Sequence, residues 1–212
     1  MTETERTIAS ALLKIGAVFL RPDRPFTWAS GIKSPIYCDN RLILSWPEER
    51  HTVEHALAEL IKSNWPECEL VIGTSTAGIG HAALSAAILG LPMGYVRASA
   101  KDHGRENRIE GRALPGQKTV VVEDLISTAG SVCQVVDTLR EEQVNVIGVA
   151  SIFTYDMKKG LDRLAQTGVK NISLTNLDAL LEVAAQEGYI AADDIARIKK
   201  FRDNPSDESW MK

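Results

Sequence analysis

The sequence predicts an α/β fold built on a doubly wound parallel sheet, and three observations carry that prediction. The first is the run Thr119, Val120, Val121 and Val122, which ends on Glu123 and Asp124 and passes into a loop of small and hydroxyl residues. A short apolar run with turn residues at its end reads as a strand buried on both faces. The second is a repeat of this design upstream, where Leu70, Val71, Ile72 and Gly73 precede Thr74, Ser75, Thr76 and Ala77 and then a small-residue helix. The third is the alternation of strand-like and helix-like patterns through the second half of the chain, as βαβ units require.

The elements follow in order. Ile8, Ala11, Leu12 and Ile15 have a helical period, and Gly16 ends it. Val18, Phe19 and Leu20 then lead into Arg21, Pro22, Asp23, Arg24 and Pro25, a turn-rich segment no helix crosses. From Phe26 to Arg41 aromatic and polar residues alternate around Ser30-Gly31 and Ser34-Pro35, which predicts short strands with a tight bend. Residues 17–44 are therefore expected to form a small β-containing hood on an otherwise single domain. Its loop, with Ser30, Lys33 and Ser34, is suited to hold a planar anion.

Ser45 is expected to cap the next helix, with Pro47 in its first turn and Glu48 and Glu49 complementing its dipole. Val53, Ala56, Leu57, Leu60 and Ile61 give that helix an apolar face. His51 and His55 lie one turn apart, but without a third ligand they read as solvated surface residues. A helix runs through Leu89 until Gly90-Leu91-Pro92 breaks it, and Met93 to Arg97 is a further strand. Residues 97–112 lack an apolar period and carry Arg97, Lys101, His103, Arg105, Arg108 and Arg112. On charge content alone such a segment could be a solvated surface excursion, but its length and five cations between two strands predict a lid for a polyanion.

Val132, Val135, Val136 and Leu139 begin a helix after the central loop. A strand over 145–153, a helix near 157–165 and a strand over 171–174 come next. Asn176 is placed to cap a helix that Gly188 ends, Asp193 and Asp194 start another, and the tail from Asp203 is expected to fray.

A chain of 212 residues with net charge −4 suits one domain and disfavours nucleic acid as a partner, so phosphate binding must come from a local site. Cys38, Cys68 and Cys133 show no CxxC spacing and read as reduced thiols. The acidic start and the lack of a long apolar run predict a cytoplasmic protein without a membrane span.

The chemistry concentrates after Val122. Ser127, Thr128 and Ser131 offer hydroxyls, while Ala129 and Gly130 leave backbone N–H groups approachable at a helix N-terminus, a ready anion site. Glu123 and Asp124 would repel a phosphate lying on them, so they are assigned to hydroxyls or to a metal-bound sugar. An ordinary buried strand suits this pair poorly, because isolated ionised carboxylates are costly to bury. Phosphate and polyol together mean a phosphorylated sugar. The upstream loop, Thr74 to Ala77, reads either as a second anion site, suited to a diphosphate, or as a tight βα turn with glycine for close packing.

Glu123, Asp124, Leu125, Ile126, Ser127, Thr128, Ala129, Gly130 and Ser131, led by their valine strand, resemble the phosphoribosyl pyrophosphate (PRPP) signature of the type I phosphoribosyltransferases. Two further features are similar to the orotate branch of that family: Phe26-Thr27 with Ser30-Gly31 and Ser34-Pro35, and Lys101-Asp102-His103-Gly104 with Glu110-Gly111. The resemblance implies a glycosyltransferase that joins PRPP and orotate to give orotidine 5′-monophosphate and pyrophosphate in de novo pyrimidine (UMP) biosynthesis. Mg²⁺ would be carried by the diphosphate with no direct protein ligand. A homodimer is implied, each lid covering its neighbour's site.

By the same resemblance, Lys101 and His103 are catalytic and with Arg97 grip the diphosphate. Glu123 and Asp124 meet the ribose hydroxyls, and Ser127 to Ser131 hold the 5′-phosphate. Ser127, Lys33 and Tyr37 face orotate. The chain departs from the pattern at Ala29 and Ala98, where relatives often carry a basic residue, and at Met157, near which some carry an orotate-contacting arginine. Two alternatives stand beside this reading: a purine phosphoribosyltransferase, and a PRPP-sensing regulator, which should show a basic patch or an added domain.

Overall fold

The computed structural model describes residues 1–28, 31–97 and 108–211. Ser30, Lys101 and His103 lie outside the described residues. The first half of the chain gives α1 (Glu3–Lys14), β1 (Val18–Leu20), β2 (Phe26–Thr27), β3 (Lys33–Ser34), β4 (Ile36–Cys38), a 3₁₀ turn (Asn40–Ser45), α2 (Pro47–Asn64), β5 (Leu70–Thr74), α3 (Gly78–Leu89) and β6 (Met93–Val96). Then come β7 (Ile109–Glu110), β8 (Lys118–Ile126), α4 (Gly130–Glu141), β9 (Asn145–Thr154), α5 (Lys158–Thr167), β10 (Asn171–Asn176), α6 (Leu177–Gln186), α7 (Asp194–Asp203) and a closing 3₁₀ turn (Glu208–Met211).

The main sheet has six strands in the order β10-β9-β8-β5-β6-β7. Each neighbouring pair is parallel except β6–β7. Both faces are covered, which explains the unbroken valines of β8. Val120 and Val122 pack in one core with Leu12 of α1, Leu57 of α2 and Leu180 of α6. Val121, between them, packs in a second core with Val132, Val136 and Leu139 of α4. From β5 the chain goes one way to β6 and then back across to β8. The sheet thus reverses direction between β5 and β8, the switch point where open α/β sheets form a crevice.

The hood consists of two small antiparallel pairs, β1 with β4 and β2 with β3. Both polar expectations for its loop and edge need adjustment. Ser34 is fully buried and its hydroxyl donates to the Ile36 carbonyl at 2.7 Å, so it does not face a ligand. Ser45 does not cap α2. The 3₁₀ turn continues through it, and Trp46 takes the cap position without a side-chain hydrogen bond.

Two longer segments also differ from expectation. The charged stretch 97–112 is closed at its far end by β7, because Ile109 is buried and pairs with Val96. The tail does not fray over its described length. Trp210 is 1% exposed and packs against Phe201 of α7, and burial of an indole of that size outweighs the polar character of its neighbours. His51 and His55 are exposed, with rings 4.1 Å apart.

Candidate active site

The carboxyl ends of β5 and β8 meet at the switch point, and side chains link them. Thr74 Oγ1 donates to Glu123 Oε1 at 2.6 Å, and Ser131 Oγ donates to Glu123 Oε2 at 3.0 Å. The Asp124 backbone N–H also reaches Glu123 Oε1, at 3.1 Å. One carboxyl group therefore ties the loop after β5 to the start of α4. The approach is close because Gly78, at the start of α3, has no side chain. A Cβ there would overlap Thr74 Oγ1 and stand 2.6 Å from the Val122 carbonyl oxygen.

Glu123 is 4% exposed, whereas Asp124 is half-buried. Burial, and next the hydrogen bond and charge of Asp124, push Glu123 up to about 8, against the smaller opposing effect of Thr74 and Ser131. The raised value favours the protonated form of Glu123 and so lessens the negative charge beside residues 127–131. Sequence reasoning gave both acids to the ribose. In the structure Glu123 meets protein hydroxyls, whereas Asp124 is half-buried.

Residues 127–131, expected to hold the 5′-phosphate, follow. Ala129 takes a left-handed conformation (φ 56°) immediately before α4, and no side chain caps that helix, so its first N–H groups have no side-chain acceptor there. Helix α5 supports the loop from outside. Arg163 Nη1 donates to the Thr128 carbonyl at 3.1 Å, and a Cβ on Gly160 would overlap the Ser127 carbonyl oxygen. A trans peptide sets its C=O and the next N–H in opposite directions. Carbonyls held toward α5 therefore turn the N–H groups of Thr128 and Ala129 away from it. Ser127 and Thr128 are half-buried, Leu125 likewise, Ile126 is buried, and Gly130 and Ser131 are exposed.

In the upstream loop Ser75 and Ala77 are half-buried and Thr76 exposed, the Ser75–Thr76 peptide is cis, and Ser75 Oγ donates to the Val96 carbonyl. Arg97 begins the charged segment with its guanidinium 3.8 Å from Glu110.

The hood joins this site through a residue the sequence reading passed over. Asn40, fully buried, donates from Nδ2 to the Asp124 carbonyl at 2.7 Å and accepts from Cys38 Sγ at 3.3 Å. Burial, and then the Asp124 carboxylate, push the Cys38 thiol well above its ordinary range. The end of β4 thus abuts the acid pair. Lys33 is exposed and donates to Thr27 Oγ1 at 2.7 Å, while Tyr37, 41% exposed, packs its ring 5.6 Å from Phe26. Asn40, Gly160 and Arg163 were illegible because each acts through a backbone carbonyl distant in sequence.

Among the described residues no group of three or more His, Cys, Asp or Glu side chains is arranged to hold a metal ion. Glu123 is committed to Thr74 and Ser131, leaving Asp124 as the acid at the crevice edge. That donor set fits a hard cation held mainly by substrate oxygens, since Mg²⁺ is commonly bound by one or two carboxylates plus phosphate groups.

A switch-point crevice in which Glu123 bridges the loops after β5 and β8, beside the N-terminus of α4, is the arrangement expected of a phosphoribosyltransferase. The family model described as "Phosphoribosyl transferase domain" matches residues 40–187. An orotate phosphoribosyltransferase of Bacillus anthracis is 52% identical over 207 residues, covering 98% of this chain and 99% of that protein. One of Listeria monocytogenes is 51% identical over 208 residues, with the same coverage. Among solved structures, orotate phosphoribosyltransferase from Aeropyrum pernix superposes with a TM-score of 0.70 at 29% identity, covering 82% of this chain and 97% of that one. The chain belongs to the orotate phosphoribosyltransferase family.

Proposed function

We propose that this chain transfers the 5-phosphoribosyl group of PRPP to orotate, forming orotidine 5′-monophosphate and pyrophosphate. The observation that carries the choice of base is the 52% identity to an orotate phosphoribosyltransferase across 98% of the chain. The crevice supports the phosphosugar half independently. Residues 127–131 receive the 5′-phosphate, Asp124 meets the ribose hydroxyls, and the loop of Thr74, Ser75, Thr76 and Ala77 receives the diphosphate with Arg97, Lys101 and His103.

Displacing diphosphate from the anomeric carbon builds positive charge on the ribose and negative charge on the leaving group. No protein nucleophile is required, and positioning and cations placed where charge develops carry the rate. Mg²⁺ carried on the diphosphate would neutralise leaving-group charge, with Asp124 the nearest acid, at the ribose hydroxyls, rather than a dedicated protein ligand. Lys101 is assigned to the same developing charge, and His103 donates a hydrogen bond or a proton near neutral pH. Ser127, Lys33 and Tyr37 are assigned to orotate.

The whole chain reads as one phosphoribosyltransferase domain with 17–44 as its hood. We assign it to the cytoplasm, a reading supported by the free thiols of Cys38, Cys68 and Cys133. No described helix is long and apolar enough to cross a membrane. We further propose a homodimer sharing its lids, and assign its interface to the groove between α2 and α3, where Leu84 and Ile88, both over a third exposed, lie beside His51 and His55. The decisive assay follows loss of orotate absorbance with PRPP and Mg²⁺. Consumption that needs all three supports the assignment. Turnover of adenine or xanthine in place of orotate would transfer the chain to the purine enzymes, and PRPP binding without turnover would favour the regulator.

A further inference from the structure

We propose that the C-terminal segment, through Arg197 and Trp210, positions the hood hairpin and thereby sets affinity for the acceptor base. The inference rests on the assignment of the hood to orotate. The turn between β2 and β3 is closed at its stem by two backbone bonds, Gly31 N–H to the Trp28 carbonyl at 2.8 Å and Trp28 N–H to the Ile32 carbonyl at 2.9 Å. Trp28 is therefore the foot of the turn. Its indole stands edge-on to Phe201, with centroids 5.6 Å apart and planes at 82°. Phe201 in turn meets Trp210 at 5.7 Å and 72°. Phe201 is fully buried and Trp210 nearly so, so the foot of the turn is seated on a rigid aromatic stack contributed by α7 and the tail.

Arg197 makes a second connection between the same parts. Its Nη1 donates to Asp23 Oδ1 at 2.9 Å and to Asp194 Oδ1 at 2.8 Å, its Nη2 to the Pro22 carbonyl at 3.2 Å, and its Nε to the Trp210 carbonyl at 3.2 Å. One planar guanidinium thus spans hood, α7 and tail, a geometry that lysine does not reproduce. Neither side chain belongs to the phosphate loop or to the loop at Thr74. Held from below, the hairpin needs less ordering when a base docks, and lower ordering cost appears as affinity.

The test measures kcat, the KM of each substrate, equilibrium affinity for ribose 5-phosphate and the melting midpoint. The variants are Arg197→Ala, Arg197→Lys, Trp210→Ala and Trp210→Phe. The expected result is an orotate KM raised about tenfold in both alanine variants, with PRPP KM and ribose 5-phosphate affinity within about twofold of the parent. Trp210→Phe should recover most of the loss, and Arg197→Lys little. Arg197 is a quarter exposed, so Arg197→Ala decides the matter if Trp210→Ala does not fold. A merely structural role would lower the midpoint and move both KM values, or neither, and that pattern overturns the proposal. An unmodified protein that consumes no orotate would sink the functional assignment and this inference with it. An active parent with an unchanged orotate KM in Arg197→Ala removes the positioning role alone.

Discussion

At the residue scale, Glu123 carries the most consequence. An acid whose folded-state pKa is raised contributes stability that is fully present below its unfolded value and lost as pH rises through the folded one. With Glu123 at about 8 in the folded protein against an ordinary 4.5, that window runs from roughly pH 4.5 to pH 8. The stability difference between the parent and Glu123→Gln should shift against the parent by up to about 1.4 kcal/mol per pH unit across it. Denaturant melts of both proteins at pH 5, 6, 7 and 8 check this, and parallel curves would place the ionised form in the crevice instead. Lys101→Ala should lower kcat on the order of a hundredfold while PRPP KM changes far less, as expected for a cation aimed at the leaving group. Steady-state kinetics with saturating orotate measures the split, and an unchanged kcat removes the lysine from that role.

At the element scale, the strands show how much the sequence discloses. The double burial of β8 was legible from four residues, Thr119 to Val122, because a parallel sheet covered on both faces demands continuous apolar side chains. The break at 127–129 was legible because small and hydroxyl residues end the strand before the periodic valines of α4. What could not be read was support arriving from elsewhere: Asn40 on Asp124, Arg163 on Thr128, and the tail under the hood. The same holds within the core. Gly148 of β9 faces the Trp65 indole at the end of α2, where an added Cβ would overlap the ring. Trp65 is 6% exposed and has little room to yield. Gly148→Ala should therefore cost roughly 1–3 kcal/mol by overpacking, read as a lower denaturation midpoint with an unchanged m-value. Nothing in the near-continuous apolar run of β9 distinguishes this glycine from an indifferent one.

At the scale of the whole molecule, the proposed dimer is the feature with the widest reach. Leu84 and Ile88 lie on the outer side of α3, the helix that begins at the Thr74 loop, so an interface there would bear on the loop we assign to the diphosphate. Leu84→Glu should shift the species measured by sedimentation from dimer toward the 23.2 kDa monomer. If lids are shared, activity should fall in step with dimer content. A parent that sediments as a monomer while fully active would end the shared-lid reading.

The pairing of β6 with β7 has a consequence for how this enzyme can be altered. Arg97 and Arg108 are joined directly, by the Arg97 N–H to the Arg108 carbonyl at 2.8 Å and by Arg108 Nη2 to the Arg97 carbonyl at 3.3 Å. The sheet is thus sealed before the intervening residues begin and takes no account of how many there are. Splicing a glycine-serine spacer in place of 99–106 should leave the heat capacity trace of unfolding almost where it was, since even doubling a loop costs only about 0.6 kcal/mol. Turnover should vanish. Architecture and chemistry would then be separable cassettes of one polypeptide, joined at a two-arginine clasp.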